Sequence, residues 1–271
     1  MSGSIAARIA CVGLACLTAL ACATSPLGRR QLLIYDDATM SQMGLNSFEQ
    51  IKSDMKVSSD PATNAYVRCV AEAILGSMGP MEGVPASWEI VVFDEPTANA
   101  FALPGGKIGV HTGLLVVAED QHQLATVIGH EIGHVLANHS NERMSQGVAA
   151  QMVMTGAGVA MSGNGVSENE QAMLAALGVG MQYGALLPYS RTHESEADLI
   201  GLDLMAAAGF DPGASVLLWQ NMARGGAQPP EFMSTHPSHD TRIRELQGRL
   251  PSARILEQQA HDAGRRPDCR R

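Results

Sequence analysis

The 271-residue sequence predicts a mainly α-helical α+β fold with one small β-sheet. Three observations support this prediction. Apolar residues recur at helical spacing over most of the chain, whereas the alternation that is typical of strands is confined to residues 88–111. Hydrophobic residues make up 45% of the chain but aromatic residues only 4%, so Ala, Leu, Val, Ile and Met must form the core. The length allows one large domain or two small ones.

Charge and hydropathy exclude several classes of protein. Charged residues make up only 17% of the chain, which is too few for an intrinsically disordered protein. Acidic residues outnumber basic residues by 27 to 18, the reverse of a general nucleic-acid binder, so we expect no nucleic-acid partner. Beyond the N-terminus no apolar run reaches the roughly 18 residues of a membrane span, which argues against a polytopic membrane protein.

Residues 1–21 predict a signal peptide of the lipoprotein type. Arg8 precedes an apolar run that ends at Ala21, which has the length of a signal-peptide core and is short for a membrane span. The small residues before Cys22 are similar to the lipobox of bacterial lipoproteins, in which that cysteine carries the acyl chains. The alternative is an ordinary secretory signal that is cut near Ala21 or Ala23.

Either interpretation places the mature chain outside the cytoplasm. Acyl chains on Cys22 would hold it on a membrane surface without a transmembrane segment. Because Ala23 is not Asp, the sorting rule of Gram-negative lipoproteins indicates the outer membrane. We therefore expect a lipid-anchored periplasmic protein. Cys69 and Cys269 can form a disulfide in such an oxidising compartment, and two separate thiols are the equal alternative.

Breaker residues and periodicity divide the chain into elements. Residues 22–45 are predicted as a tether. Two helices are then predicted over 45–55 and 62–78, with apolar residues at helical spacing in the second. Alternating β-branched residues predict a strand over 88–93, and a Pro-Gly-Gly turn joins a short strand to another over 107–111.

The second half of the chain is predicted to be helical. Residues 147–187 are rich in Ala, Gly and Met, and predict two helices that form either a close-packed hairpin or a flap facing membrane or substrate. The domain is predicted to end at residue 250, before a loose polar tail over 251–271. The other predicted helical segments are 113–118, 121–138, 190–208, a segment capped by Asp211 and Pro212, and 241–250.

The helix predicted over 121–138 contains the pattern H-E-x-x-H. His130 and His134 lie four residues apart and therefore share one helix face, so both imidazoles can bind a single zinc ion. Glu131 is then placed beside a water bound to that ion and can act as general base. A pair of exposed helical histidines is the alternative, but it poorly explains their position in a largely apolar helix.

A catalytic zinc ion needs a third protein ligand and an open position. The metzincin pattern fails, because a histidine would be required at position 140, and His139 is one position off. A glutamate from a downstream helix is the other solution, and Glu194 supplies it. Asp198 lies four residues later on the same face, where it can hydrogen-bond a ligand histidine. Glu196 points away from that face and is expected to be solvated.

Five segments together resemble the HtpX-like gluzincin zinc metallopeptidases, which include the CAAX prenyl proteases, and especially their periplasmic lipoprotein-type bacterial branch. The segments are N-A-F-A-L-P-G-G-K-I at 99–108, T-G-L-L at 112–115, H-E-I-G-H-V-L-A-N-H at 130–139, S-R-T-H-E-S-E-A-D-L-I-G-L at 190–202 and S-T-H-P-S-H-D-T-R-I at 234–243. The resemblance covers roughly residues 60–250 and implies a zincin-like metallopeptidase domain that binds one Zn²⁺ per chain. We predict that this domain extends over 46–250. His130, His134 and Glu194 match the family's zinc ligands. Glu131 matches its catalytic base, and Asp198 its supporting acid.

His236 lies in a Thr-His-Pro segment that borders the active site in the resemblance. It is predicted either to hydrogen-bond the tetrahedral intermediate or to occupy the open zinc position in a resting state. The alternative is that residues 234–240 only cap the last helix, with Arg242 in a structural salt bridge. The histidines at positions 122, 193, 239 and 261 are predicted to be bystanders.

These parts predict a zinc endopeptidase that cleaves unfolded or misassembled proteins of the cell envelope, as protein quality control. Zinc would polarise the scissile carbonyl, and Glu131 would pass a proton from water to the leaving amine. The strand at 107–111 is expected to pair with an extended substrate and to read its backbone. The alternatives are a chaperone that holds outer-membrane clients, and an inert lipoprotein whose motif is accidental.

Overall fold

The computed structural model describes residues 22–79, 84–85, 87–162, 189–224, 232, 236 and 240–271. Within these residues the predicted α+β fold is confirmed: helices dominate and the strands are short. The strands are β1 (Cys22–Thr24), β2 (Arg30–Leu32), β3 (Glu89–Phe93), β4 (Ala100–Leu103) and β5 (Lys107–His111). The helices are α1 (Asp37–Asp54), α2 (Pro61–Ser77), α3 (Leu114–Val117), α4 (Gln121–Leu136), α5 (His139–Ser162), α6 (Arg191–Ala207), α7 (Ala214–Arg224) and α8 (Asp240–Asp262).

Side-chain caps explain where the main helices start. Asp120 accepts hydrogen bonds from the backbone amides of His122 and Gln123, both at 2.8 Å, and so begins α4. Asp60 caps α2 in the same way, with proline at the first helical position. Ser190 caps α6 through the amide of His193. Two of these caps therefore fix the starts of the helices that carry the predicted metal ligands.

Helix α4 runs through the centre of the molecule. Its residues 123–134 are all buried, although they include both histidines and the glutamate of the H-E-x-x-H pattern. Leu124, Ile128 and Ile132 are completely buried and contribute to the main hydrophobic core, together with side chains of α2, α6 and α7. The functional residues are therefore held on a rigid, buried element.

The three longer strands form one small sheet in the order β3-β5-β4. β3 pairs with β5 in parallel, and β4 pairs with β5 antiparallel, with Ala102 opposite Ile108. The prediction that residues 107–111 offer a free edge is therefore wrong, because a strand lies on each side of β5. A Pro-Gly-Gly turn joins β4 to β5, so β4 lies at one edge of this sheet and β3 at the other.

The structure also corrects the predicted tether over 22–45. β1 and β2 form an antiparallel hairpin, with Cys22 opposite Leu32. Ser25 and Gln31 are buried, because their side chains hydrogen-bond groups on α6 and on the end of α4. Helix α1 then begins at Asp37, capped by Asp36. This segment therefore packs onto the domain as folded structure.

The polar tail predicted over 251–271 is likewise ordered. Helix α8 continues through Pro251 to Asp262, and Cys269 then forms a disulfide with Cys69 of α2. The disulfide resolves the alternative left open by the sequence. A cross-link between residues 200 positions apart removes chain entropy from the unfolded state, which stabilises the fold by about 5 kcal/mol in the loop-entropy account.

None of the helices in the described part of the chain is both long and apolar enough to cross a membrane. Helix α5 covers the first of the two helices predicted over 147–187. The turn and the second helix predicted there lie outside the described residues.

Candidate metal centre

Two helices bring the predicted metal ligands together. His130 and His134 project from α4 with their Nε2 atoms 3.0 Å apart. Glu194, in the first turn of α6, places its carboxylate 3.5 Å from His130 Nε2 and 3.4 Å from His134 Nε2. The predicted ligand set of His130, His134 and Glu194 thus converges on one buried point.

His236 adds a fourth donor atom to this point. Its Nδ1 lies 3.1 Å from His130 Nε2 and 3.0 Å from Glu194 Oε1. The donor atoms of these four residues all lie within 4.8 Å of one another. The structure therefore places His236 in the cluster itself, beyond a helix-capping role.

The donor set fits a zinc ion. Ligand atoms about 2.0–2.2 Å from a tetrahedral Zn²⁺ are separated from one another by roughly 3.3–3.5 Å. The closest contacts between donor atoms of these four residues are 3.0 to 3.5 Å, and all of the donor atoms lie within 4.8 Å of one another. Imidazole nitrogen and carboxylate oxygen are also the donors that zinc binds in catalytic sites.

Small residues allow α4 and α6 to approach closely enough for this convergence. A Cβ atom on Gly129 or Gly133 would lie 2.8 Å from a carbonyl oxygen of α6. A Cβ atom on Gly201 would lie 2.6 Å from the backbone nitrogen of His130. These clashes are with backbone atoms, so a larger residue at any of the three positions would push the two helices apart.

We therefore expect Gly201→Ala to destabilise the protein by about 1–3 kcal/mol and to weaken metal binding. Displacement of α6 would carry Glu194 away from His130 and His134. Urea unfolding and zinc competition titrations measure the two effects. Gly248→Ala is the matched control, because a Cβ atom at that helical position meets nothing within 4 Å. Equal behaviour of the two variants would contradict this account of the interface.

Glu131 lies beside the cluster in the position expected of a general base. Its Oε2 accepts a hydrogen bond from the backbone amide of Ala102 in β4, at 3.2 Å. Its Oε1 is buried, lies 3.4 Å from His236 Nε2, and has no hydrogen-bond partner among the described residues. Burial raises the pKa of Glu131, while the nearby histidines oppose this shift. A buried carboxylate with one unoccupied oxygen is suited to take up a proton.

Asp198 supports His130 as predicted from the spacing. Its Oδ1 lies 2.9 Å from His130 Nδ1, on the ring side opposite the cluster. The guanidinium of Arg242 holds Asp198 with bonds of 2.6 and 2.7 Å, and its Nη1 lies 2.7 Å from Glu194 Oε2. Arg242 is almost completely buried and stacks on Trp219.

These contacts set the charge state of the centre. Burial raises the pKa of Glu194, but His236, His130 and His134 outweigh this effect and hold it well below its usual range. Burial lowers the pKa of His134 far below its ordinary value, so its ring is neutral. Burial also lowers the pKa of His130, but Asp198 and Glu194 outweigh it and raise the pKa to about 9. Metal binding must therefore displace a proton from His130.

The expectation that Glu196 is solvated is wrong. It is buried, and its Oε2 lies 3.1 Å from Nε2 of His139. Nδ1 of His139 in turn lies 2.8 Å from Nδ1 of His134. Burial raises the pKa of Glu196, but hydrogen bonds with His139, Ser25 and Arg29 lower it to about 2. The helical wheel of α6 could not show this, because Ser25 and Arg29 come from the N-terminal hairpin.

Other side chains around the centre were missed or misjudged from the sequence. The ring of Tyr189 stacks on His134 at 4.0 Å between centroids, and Phe232 stacks on His236 at 4.5 Å. His193, predicted as a bystander, is buried with its Nε2 3.1 Å from Glu142. The bystander positions His122 and His261 each contact backbone away from the metal centre, and His239 lies outside the described residues. Proximity to the motifs was the only sequence signal for Tyr189 and Phe232.

Comparison with known proteins agrees with this geometry. Residues 56–250 match the sequence model of peptidase family M48. The chain is 35% identical over 222 residues to the mitochondrial metalloendopeptidase OMA1 of Schizosaccharomyces pombe, covering 79% of this chain and 62% of that protein. It is 34% identical to OMA1 of Homo sapiens over 217 residues, or 76% of this chain and 40% of that protein.

A bacterial relative is the β-barrel assembly-enhancing protease of Escherichia coli, 27% identical over 226 residues, which cover 82% of this chain and 46% of that protein. The chain thus spans between 40% and 62% of the length of these three relatives. The match extends over most of the folded domain and includes every residue of the metal centre. The chain therefore belongs to peptidase family M48.

Proposed function

We propose that the protein is a zinc endopeptidase that degrades unfolded or misassembled proteins of the cell envelope. The observation that carries the proposal is the buried His130–His134–Glu194 cluster with Glu131 beside it, under the edge of a β-sheet. We also propose that, within family M48, the protein is most similar to the HtpX-like proteases and their lipoprotein-type branch.

His130, His134 and Glu194 would hold the zinc ion. When bound there, zinc supplies Lewis acidity that polarises the scissile carbonyl and makes water more acidic. Glu131 takes a proton from the attacking water through its unoccupied Oε1 and delivers it to the leaving amine. The amide of Ala102 keeps the other carboxylate oxygen in place during both transfers.

His236 must leave its present position before water can attack. Its Nδ1 lies among the donor atoms and would act as a fourth protein ligand, whereas a catalytic zinc site has three protein ligands and leaves the fourth position to water. We propose that this is a resting arrangement. The ring stacks on Phe232, and Arg242 donates to its backbone carbonyl, so these contacts stabilise the resting position.

The edge strand β4 is the proposed binding site for the substrate backbone. The carbonyl oxygen of Asn99 accepts a hydrogen bond from the amide of His111 in β5. Because residues of an antiparallel strand alternate in the side to which their main-chain groups point, those of Ala100 and Ala102 point away from β5. The amide of Ala102 meets Glu131 on that side, so the strand edge passes directly by the proposed base. An extended segment paired there is recognised by its backbone, which only an unfolded protein exposes over several residues.

Location in the cell envelope is supported by two features. The Cys69–Cys269 disulfide is typical of an oxidising compartment, and residues 1–22 are similar to a lipoprotein signal. The Escherichia coli relative is named for β-barrel assembly, whereas the OMA1 relatives are named as mitochondrial. We propose a lipid anchor on Cys22 that holds the peptidase at the outer membrane.

The test is hydrolysis of casein, an unfolded protein, with a stably folded protein as the comparison substrate. The purified chain should contain one zinc ion, and it should cleave casein but not the stably folded protein. A chelator should abolish cleavage, and added zinc should restore it. His236→Ala is assayed in parallel, because it removes the fourth donor. Failure of both proteins to cleave casein in the presence of zinc would overturn the proposal.

A further inference from the structure

The N-terminal hairpin, residues 22–32, contacts two buried carboxylates close to the metal centre. Arg29 donates a hydrogen bond from Nε to Glu196 at 2.9 Å. Its two terminal nitrogens donate hydrogen bonds to Glu142 at 2.7 and 2.6 Å. Ser25 also donates its hydroxyl to Glu196. Gln31 donates to Glu142 and to the carbonyl oxygen of Ala137, at the end of α4. The hairpin is therefore joined by charged hydrogen bonds to the elements that carry the metal ligands.

One of these carboxylates is connected to a metal ligand through a second histidine. Glu196 contacts Nε2 of His139 at 3.1 Å, and Nδ1 of His139 contacts Nδ1 of His134 at 2.8 Å. All three side chains are buried. The chain can turn back in this way because Asn138 adopts a left-handed conformation, with φ of 52°, between α4 and α5.

The chemistry of this chain of contacts fixes the position of each proton. An ionised carboxylate paired with arginine only accepts hydrogen bonds, so Glu196 requires the proton of His139 on Nε2. The neutral ring of His139 then presents Nδ1 as an acceptor, so His134 must carry its proton on Nδ1. Nε2 of His134 is left with its lone pair directed toward Glu194 and His130, as a metal ligand requires.

The two histidine ligands are thus supported in different ways. His130 contacts a carboxylate directly, since Asp198 lies 2.9 Å from its Nδ1. Among the described residues, no carboxylate contacts Nδ1 of His134 directly. His134 depends on His139, and His139 depends on a carboxylate whose position is set by the hairpin. Loss of the hairpin contacts would affect the His134 side of the centre selectively.

We infer that the N-terminal hairpin is a positioning element of the metal centre, which acts from Arg29 through Glu196 and His139 on His134. The inference rests on the proposed function, because it assumes that His134 binds the metal. It assigns Arg29, Glu196 and His139 as positioning residues.

The experiment uses the full chain, stripped of metal, and the variants Arg29→Met and Glu196→Gln. Zinc affinity is measured by competition with a chromogenic chelator. We expect each variant to bind zinc about 10- to 100-fold more weakly than the wild type. The loss of affinity in the double variant should be smaller than the sum of the two single losses and close to that of either single variant, because both changes interrupt the same chain of contacts. Arg30→Met is the matched control, because Arg30 is an exposed arginine of the same hairpin, and its zinc affinity should be unchanged.

The second measurement is independent of zinc. Long-range ¹⁵N–¹H spectra of the imidazole groups in the metal-free protein report which ring nitrogen of His134 carries the proton. The wild-type ring should carry it on Nδ1, and both variants should show a measurable fraction of the other tautomer. Near-ultraviolet circular dichroism identifies any variant that has failed to fold, in which case the tautomer of the remaining variant decides.

Wild-type affinity and tautomer in both variants would overturn the inference even if the protein binds zinc and cleaves casein. Conversely, a wild-type protein that binds no zinc would overturn the proposed function, while the tautomer of His134 would still test the role of the hairpin.

Discussion

Replacement of Glu131 by glutamine should lower kcat/KM for peptide hydrolysis by about 10²–10⁴-fold, the contribution of a positioned general base. Glutamine keeps the shape of the side chain and can still accept the amide hydrogen of Ala102 on its carbonyl oxygen. It cannot take up a proton. Zinc affinity should stay close to that of the wild type, because Glu131 is not among the clustered donors. Steady-state cleavage of a fluorogenic peptide and a zinc titration measure the two quantities.

The pH dependence of kcat/KM is a second test of Glu131 as the general base. Burial raises the pKa of Glu131, so kcat/KM of the wild type should fall with decreasing pH already above the usual glutamate range near 4.5. The ionised base is lost as the pH drops through that raised pKa. Glu119→Gln, an exposed change of the same chemistry, should leave rate and profile unchanged. Full activity of Glu131→Gln would exclude this glutamate as the base.

Replacement of Arg242 by methionine should produce the largest loss of stability, about 3–5 kcal/mol. The guanidinium neutralises Asp198 and Glu194, and all three side chains are buried. Methionine would fill much of the space beside Trp219 but leave two buried carboxylates without their arginine partner. Urea unfolding of the metal-free protein measures the change in the free energy of unfolding.

Arg254→Met is the matched control on the same helix. Arg254 is about half exposed and forms ion pairs with Asp211 and Glu257 at the surface, so its loss should cost less than about 1 kcal/mol. If both variants lost the same free energy of unfolding, the loss would come from changing an arginine of this helix and not from unpairing the buried carboxylates. Added zinc should recover part of the stability of Arg242→Met, because a cation bound between His130 and Glu194 compensates for part of the lost charge.

The metal ligands could be predicted from the sequence because their geometry is local. His130 and His134 share a helix face by spacing alone, and Glu194 and Asp198 do so on a second helix. Strand β5 was likewise predicted with its exact bounds, since alternation and a Pro-Gly-Gly turn define it. The predicted end of the last helix at residue 250 is wrong, because α8 continues through Pro251, a residue that usually breaks helices, to Asp262.

The parts that could not be predicted depend on contacts between distant segments. Glu196 is surrounded by groups from the hairpin and from α5, more than 50 residues away, so its burial is invisible in its own helix. The edge of the sheet was assigned to the wrong strand for a similar reason. Strand order depends on how β3 reaches β5 across the intervening chain, and no local pattern encodes that pairing.

The disulfide between Cys69 and Cys269 also closes the polypeptide into a covalent ring. Every member of the metal centre, from His130 to His236, lies inside this ring. A single cut anywhere between the two cysteines, including a cut that the enzyme makes in another copy of itself, would therefore release no fragment. The nicked molecule would stay in one piece on a denaturing gel until a reductant opens the ring, so a single autolytic cut between the two cysteines yields separate fragments only under reducing conditions.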